Sequence, residues 1–359
     1  MLFPIDPNTP QCEVFEVLNN ELLHFLQECV QAAAFDESLF TSYVVDGNNI
    51  KSVCWTNGPT KTKFEALWNV LPERQHERQT LYDLVNNTQD IAIYFNDTNA
   101  ALPQLTSEQL FEAFKSLTTH MFTKTKELVS AKKQANSSIE VHFQSFKRAN
   151  SNSQLCFLCG TAHLSQDRAG LEDGDQWRAD YDHILCKDKY PIYSAHPGNF
   201  IPTCHICNSK AKGARTLLEG KRGRRRKSFY PLASNEENAC YQYSKIKPDF
   251  ISLENLRAGE WDQPLSSAKV YFPETPLEVA RKIVVWREVY QVPDRVEAEI
   301  KNGFVESISA GLIEPQTFDE FKERLIAKVR QEPSDCKRST WSCWWFRVYQ
   351  WLAEQSEQT

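Results

Sequence analysis

The chain has 359 residues, 41% of them apolar and 25% charged, with a formal net charge of −6. At ~150 residues per domain there is room for about two domains with real cores, and this composition excludes a wholly disordered chain and a collagen-like one. No run of about 18 apolar residues occurs and the first residues lack the basic and apolar regions of a signal peptide, so a soluble, cytoplasmic protein without membrane contact is expected.

Residues 1–150 read as a mainly helical domain. Val14, Leu18, Leu22, Phe25, Leu26 and Cys29 keep helical spacing, Ile91–Phe95 reads as one short strand, and Thr106-Ser-Glu-Gln109 reads as a capping box ahead of Leu110, Phe111, Phe114, Leu117 and Met121. Ala149–Gln154 is small and polar, the composition of a linker. Over residues 151–230 the apolar periodicity weakens while Cys, His, Asp, Asn and basic residues crowd together, as suits a small module organised around metal. Residues 231–359 read as a second helical domain. Thr275-Pro276-Leu-Glu278 offers an N-cap, a proline at the first helical position and an acid in the first turn. Thr317-Phe-Asp-Glu320 repeats the capping box ahead of Phe321, Leu325, Ile326 and Val329. The aromatics Trp341, Trp344, Trp345, Phe346, Tyr349 and Trp351 could stack on bases, but the helical spacing of Trp341, Trp344, Val348 and Leu352 favours a core stripe.

Eleven cysteines in a chain with no export signal are expected to stay reduced, which makes metal ligation a better default than disulfides. Two pairs stand out, Cys156-Phe-Leu-Cys159 and Cys204-His-Ile-Cys207, with 44 residues between them. Each Cys-x2-Cys turn places two thiolates on one side of a tight loop, and two such loops make the four soft ligands of a tetrahedral Zn²⁺ site. Next to the second pair, nine Lys or Arg (Lys210, Lys212, Arg215, Lys221, Arg222, Arg224, Arg225, Arg226, Lys227) stand against one acid, Glu219, within residues 210–227. That strip carries +8, so the other 341 residues carry −6 − 8 = −14. A concentrated basic strip on an acidic body reads as a local docking site for phosphates, or as a solvated loop.

Between and after the cysteine pairs come Asp182-His183, Asn199 and then Asn208, directly after Cys207. In that order, these residues resemble the HNH endonuclease family, and the resemblance covers about residues 155–215. It implies a mostly α protein with a small central α+β module, a zinc-bound ββα-metal finger. By the resemblance, His183 is the general base that activates water, and an imidazole pKa near ~6.5 suits that task. Asp182 and Asn208 match the family's ligands for a catalytic Mg²⁺ or Mn²⁺, and Asn199 matches the residue that ties down the loop between the strands and so orients the histidine. The implied activity is hydrolysis of DNA to a 5′-phosphate and a 3′-hydroxyl, possible in restriction or anti-phage defence, with a homodimer or two events needed for a double-strand break. The acidic flanks would suit a protein activator or regulatory subunit.

Three features depart from the family pattern. Leu185 and Cys186 follow Ile184 where many members have proline, and the spacer around Leu171–Asp175 is long and acidic. The lysine that often follows the last Asn at a fixed offset is displaced, with Lys210 and Lys212 flanking Ala211. His163, His196 and His205 read as surface or supporting residues, with His205 the best placed to meet a phosphate. The rival readings are a non-catalytic zinc protein that binds nucleic acid and an HNH-type RNase.

Overall fold

Helix α1 (Glu13–Cys29) buries the face that its spacing predicts, from Val14 and Phe15 through Leu18, Leu22, Phe25 and Leu26 to Cys29. The computed structural model describes residues 1–105, 107–164, 168, 171, 175, 177, 181–233, 238–249, 264–312, 317–330, 336–337 and 339–357. Residues 172–174 of the acidic spacer therefore lie outside the described residues. After α1 comes an exposed antiparallel hairpin, β1 (Ser42–Val45) and β2 (Asn48–Lys51). Its turn is Asp46-Gly47, both at positive φ (51° and 78°), the conformation that a two-residue hairpin turn matching strand twist requires.

Helices α2 (Val53–Thr56), α3 (Gly58–Trp68) and α4 (Gln75–Asn86) follow. The strand expected at Ile91–Phe95 does not form: Ile93–Asn96 is a helical turn, α5. Ile91, Tyr94 and Phe95 are the buried positions, a helical rather than an alternating pattern, which explains the difference. Helix α6 (Glu108–Thr123) is capped by Ser107, whose Oγ accepts from the Leu110 amide at 3.1 Å; Thr106 lies outside the described residues. Two further helices, α7 (Val129–Ala135) and α8 (Ile139–Ala149), complete this region.

Within the expected linker Ser151, Asn152 and Gln154 are exposed, whereas Asn150 and Ser153 are buried. The Asn150 side chain accepts from the Asp6 amide (2.9 Å) and donates to Thr9 Oγ1 (3.0 Å). Asn150 thus satisfies the N-terminal segment, while the Ser153 hydroxyl donates to the Lys337 carbonyl.

The central hairpin joins β3 (Tyr181–His183) to β4 (Phe200–Pro202), antiparallel, with His183 opposite Phe200 and Asp182 opposite Ile201. A π-helix, Ile206–Lys212, follows at once. The rest of the chain forms hairpin β5 (Lys245–Asp249) and β6 (Ser267–Tyr271), then α9 (Leu277–Tyr290), α10 (Val292–Leu312), α11 (Phe318–Arg330) and α12 (Ser342–Glu357). Thr275 does not cap α9: its hydroxyl donates to the Phe272 carbonyl, and Pro276 sits in extended conformation one residue before the helix. Thr317 does cap α11, accepting from the Glu320 amide at 3.2 Å.

The protein is thus mostly helical, with three two-stranded antiparallel sheets among the described residues. One hydrophobic cluster runs from Met1 to Ala353 and includes Trp344, Val348 and Leu352 of the C-terminal stripe. Among the described residues, no helix is long and apolar enough to cross a membrane.

Candidate functional site

The two Cys-x2-Cys turns meet in the core. Cys156, Cys159, Cys204 and Cys207 are all buried, and their sulfurs lie within 4.8 Å of one another. Cys159 and Cys204 sulfurs are 3.9 Å apart. Ligands at ~2.3 Å from a tetrahedral zinc are separated by about 3.8 Å, so this set could hold a metal ion such as Zn²⁺. Donors already face the sulfurs: Thr161 reaches Cys159 Sγ through its amide (3.4 Å) and its hydroxyl (3.2 Å), and the Cys207 amide reaches Cys204 Sγ at 3.5 Å. Arg295 Nη2 of α10 donates to Cys207 Sγ at 3.4 Å, setting a cation beside what would be a tetrathiolate.

The first turn is wedged between the ends of the chain. Phe157 O accepts from the Leu2 and Phe3 amides, each at 3.1 Å. The indole of Trp286 donates to Leu158 O and that of Trp344 to Cys159 O, both at 2.9 Å. Gly160 has φ +68°, and a Cβ there would come within 2.7 Å of Leu2 Cδ2 and 2.8 Å of Cys343 Sγ, so only glycine fits. Arg295 and the carbonyl-capping role of the two tryptophans have no signature in the sequence, because each acts across long stretches of chain.

Behind the four cysteines opens a cleft of about 580 Å³. Asp182, His183 and Asn208 all line it, joined by Lys212, Lys126, Lys187 and Phe122. Asp182 and His183 come from β3, and Asn208 comes from the π-helix, which starts within the second Cys-x2-Cys turn. The Gly213 amide donates to Asn208 O at 2.8 Å, an i→i+5 bond. This wider turn takes one more residue than an α-helical turn and swings the displaced lysine inward. Lys212 Nζ donates to Asp182 Oδ1 (2.8 Å) and to the His183 carbonyl (2.6 Å), with 2% of Lys212 exposed. Asp182 Oδ2 is buried with no hydrogen-bond partner. Burial raises the Asp182 pKa above the ordinary carboxylate value, although the Lys212 charge opposes it.

His183 is 9% exposed, packed against the rings of Phe122 (4.3 Å) and Phe200 (4.9 Å), with Nε2 3.3 Å from Ser194 O. Burial, with the nearby Lys187 charge, holds its pKa down at about 3, so the free imidazole is neutral at pH 7. Asn199 does not line the cleft. Its side chain accepts from the Leu185 amide (2.6 Å) and donates to Leu185 O (3.1 Å) and Tyr193 O (2.9 Å), clamping the connection between the strands. Cys186 lines the cleft as a buried thiol outside the four-cysteine cluster. His163 and His205 are exposed, and buried His196 accepts from the Gly198 amide.

The basic strip divides into two populations. Lys212 is buried against Asp182 and so is not available to phosphate. Arg215 donates to Glu288 O, Arg225 to the carbonyls of Tyr94, Asp97 and Leu218, and Arg226 to those of Thr216 and Leu217 and to the Glu288 carboxylate. Lys227 pairs with Glu278. Lys210, Lys221, Arg222 and Arg224 are exposed and have no such partner among the described residues. Compared with protein-family models, curated proteins and solved structures, the chain has no match.

Proposed function

We propose that the cleft is the active site of a divalent-metal-dependent DNA endonuclease of the HNH type. The observation that carries this reading is the convergence of Asp182, His183 and Asn208 on one cleft, built by a short hairpin and by the helix that leaves a four-cysteine centre. The unpartnered Asp182 Oδ2 fits a hard cation, since one buried carboxylate oxygen still lacks a partner. Asp182 and Asn208 would hold Mg²⁺ or Mn²⁺, which when bound supplies positive charge to a phosphate in the transition state. Zn²⁺ at the cysteines would hold the hairpin and the helix in register.

His183 is suited to accept a proton from water. With Nε2–H donating to Ser194 O, Nδ1 keeps its lone pair, and a neutral ring is the form a base needs. Its depressed pKa makes it a weak base in the free protein, and an arriving phosphate anion raises its basicity. Asn199 acts at one remove, by fixing Leu185 and Tyr193 around the histidine. Lys210, Lys221, Arg222 and Arg224 are the strip's free cations for the DNA backbone. A cytoplasmic role in restriction or anti-phage defence belongs to the same reading.

The second reading, a zinc protein that binds nucleic acid without cutting it, is favoured by the buried Asp182–Lys212 pair, which already neutralises the carboxylate. Incubating zinc-loaded protein with plasmid and with total RNA, with and without Mg²⁺ or Mn²⁺, separates the two and also an RNase. The expected result is metal-dependent DNA scission that falls by ~10²–10⁴ in His183→Ala, with zinc content and DNA affinity unchanged. Binding without scission of either nucleic acid would establish the second reading.

A further inference from the structure

Phe122 lies near the C-terminal end of α6, half-buried on the cleft wall and 4.3 Å from the His183 ring, centre to centre. It runs nearly parallel to Phe15 (5.6 Å, 11°) and Phe200 (5.3 Å, 13°), which hold its plane. Two ammonium groups stand over it, Lys126 Nζ at 5.6 Å and Lys187 Nζ at 5.8 Å from the ring centre; Lys126 is buried and ion-paired with Glu127. Lys187 has no carboxylate partner among the described residues. The same cleft recesses the chemistry, with 2% of Asp182 and 9% of His183 exposed.

These observations constrain the form of the substrate. Duplex DNA is a stiff rod with its bases paired inside, so it presents phosphates but cannot lay a base against a recessed ring. An unpaired strand can bend inward and turn out a base. A lysine above a partly exposed ring makes a weak contact, and base–aromatic stacking is stronger. An arriving base therefore displaces the Lys187 ammonium from the ring and leaves it beside the base's own phosphate, while Lys126 stays on Glu127.

We infer that Phe122 is a stacking platform for an unpaired DNA base, with Lys187 taking a flanking phosphate, so that the strand entering the cleft is single-stranded or locally unpaired. This rests on the proposed nuclease centre for the position of the cut, but the platform itself is a binding property. It is tested with a single-stranded oligonucleotide carrying 2-aminopurine, titrated against zinc-loaded protein without added Mg²⁺ or Mn²⁺. Fluorescence should be quenched by stacking, and the single strand should bind roughly tenfold or more tightly than the same sequence as duplex. Phe122→Leu should abolish the quenching and weaken single-strand binding by roughly tenfold, with duplex binding and zinc content unchanged. Lys187→Gln should flatten the salt slope for the single strand by about 0.7.

Equal affinity for single strand and duplex, or quenching that survives Phe122→Leu, would overturn the platform. If Phe122→Leu lowers the melting temperature, Phe122→Trp decides: retained quenching supports the platform, and lost quenching removes it. The nuclease reading fails separately. Quenching without cleavage of any strand in Mg²⁺ keeps the platform and removes the nuclease, whereas equal cleavage of duplex and single strand, without quenching, keeps the nuclease and removes the platform.

Discussion

The four-cysteine centre and the cleft share one hairpin and one helix, with Cys207 and Asn208 adjacent in the chain, yet they treat polar groups in opposite ways. At the cysteines, donors from Thr161, the Cys207 amide and Arg295 face the sulfurs, and two indoles cap the neighbouring carbonyls. In the cleft, Asp182 has one oxygen held by Lys212 and the other unpartnered, beside a histidine kept neutral by burial. The first arrangement lowers the free energy of the folded state. The second leaves a buried acceptor unsatisfied, a cost that is tolerated where a ligand completes the site. Damage to the first should therefore appear as loss of the fold, and damage to the second as a smaller loss of stability together with changes in binding and chemistry.

The largest effect is expected from Cys156→Ala. Structural zinc binding is worth ~10–16 kcal/mol in small peptides, as much as the whole stability of a typical domain. Because the first turn also anchors Leu2, Phe3, Trp286 and Trp344, its loss should release zinc and unfold the chain. Metal analysis together with far-ultraviolet circular dichroism checks this. A folded, zinc-free Cys156→Ala would break the contrast between the two regions.

Next comes Lys212→Met, which leaves Asp182 buried without its cation. Removing one partner of a buried pair costs ~3–5 kcal/mol, read as a loss of urea stability. Asp182→Asn in the same chain should recover part of that loss, because no lone charge then remains. Added Mg²⁺ should stabilise Lys212→Met more than wild type, since both carboxylate oxygens then face the cation.

These two residues also illustrate how far the sequence carries. The cysteines are legible because Cys-x2-Cys spacing itself imposes the geometry of the turn, and α1 is legible because its apolar face persists over several turns. Lys212 is not, since its inward swing depends on an i→i+5 turn that spacing alone does not reveal. Ile91–Phe95 is too short for its apolar run to distinguish a strand from a helical turn. Arg295 lies 88 residues from the sulfur it faces, and only the folded chain brings them together. A count of positive charges likewise cannot show which guanidiniums are already bonded to backbone carbonyls.

A smaller effect separates pH from metal. His196 is buried, and burial lowers its pKa to about 4, while Nδ1 accepts from the Gly198 amide next to Asn199. The unfolded chain takes up this proton near pH ~6.5 and the folded chain does not, so stability present above that pH is lost as the pH falls from about 6.5 toward 4. The slope from this residue is at most ~1.4 kcal/mol per pH unit. Urea midpoints measured over that window should show a shallower acid loss in His196→Gln than in wild type, with zinc retained. An unchanged slope would mean that the imidazole is protonated in the folded protein.

The smallest effect sharpens the contrast on the basic strip itself, where structural and free cations alternate within a few residues. Arg225 and Arg226 together donate to five backbone carbonyls, those of Leu218, Tyr94, Asp97, Leu217 and Thr216, so replacing them with Gln should destabilise the loop and alter binding only indirectly. Lys221, Arg222 and Arg224 are exposed and unpartnered among the described residues, and each that neutralises a phosphate contributes about −0.9 to the slope of log K against log salt on duplex DNA, or about −0.7 on a single strand. Lys221→Gln, Arg222→Gln and Arg224→Gln combined should flatten that slope by roughly one to two, since one short turn cannot present every charge to the same backbone. The melting temperature should stay at the wild-type value, and the loss should be similar for unrelated sequences because phosphate contacts carry no sequence information. A wild-type salt slope in the triple variant would place the DNA away from this loop, along Lys187 of the cleft lining.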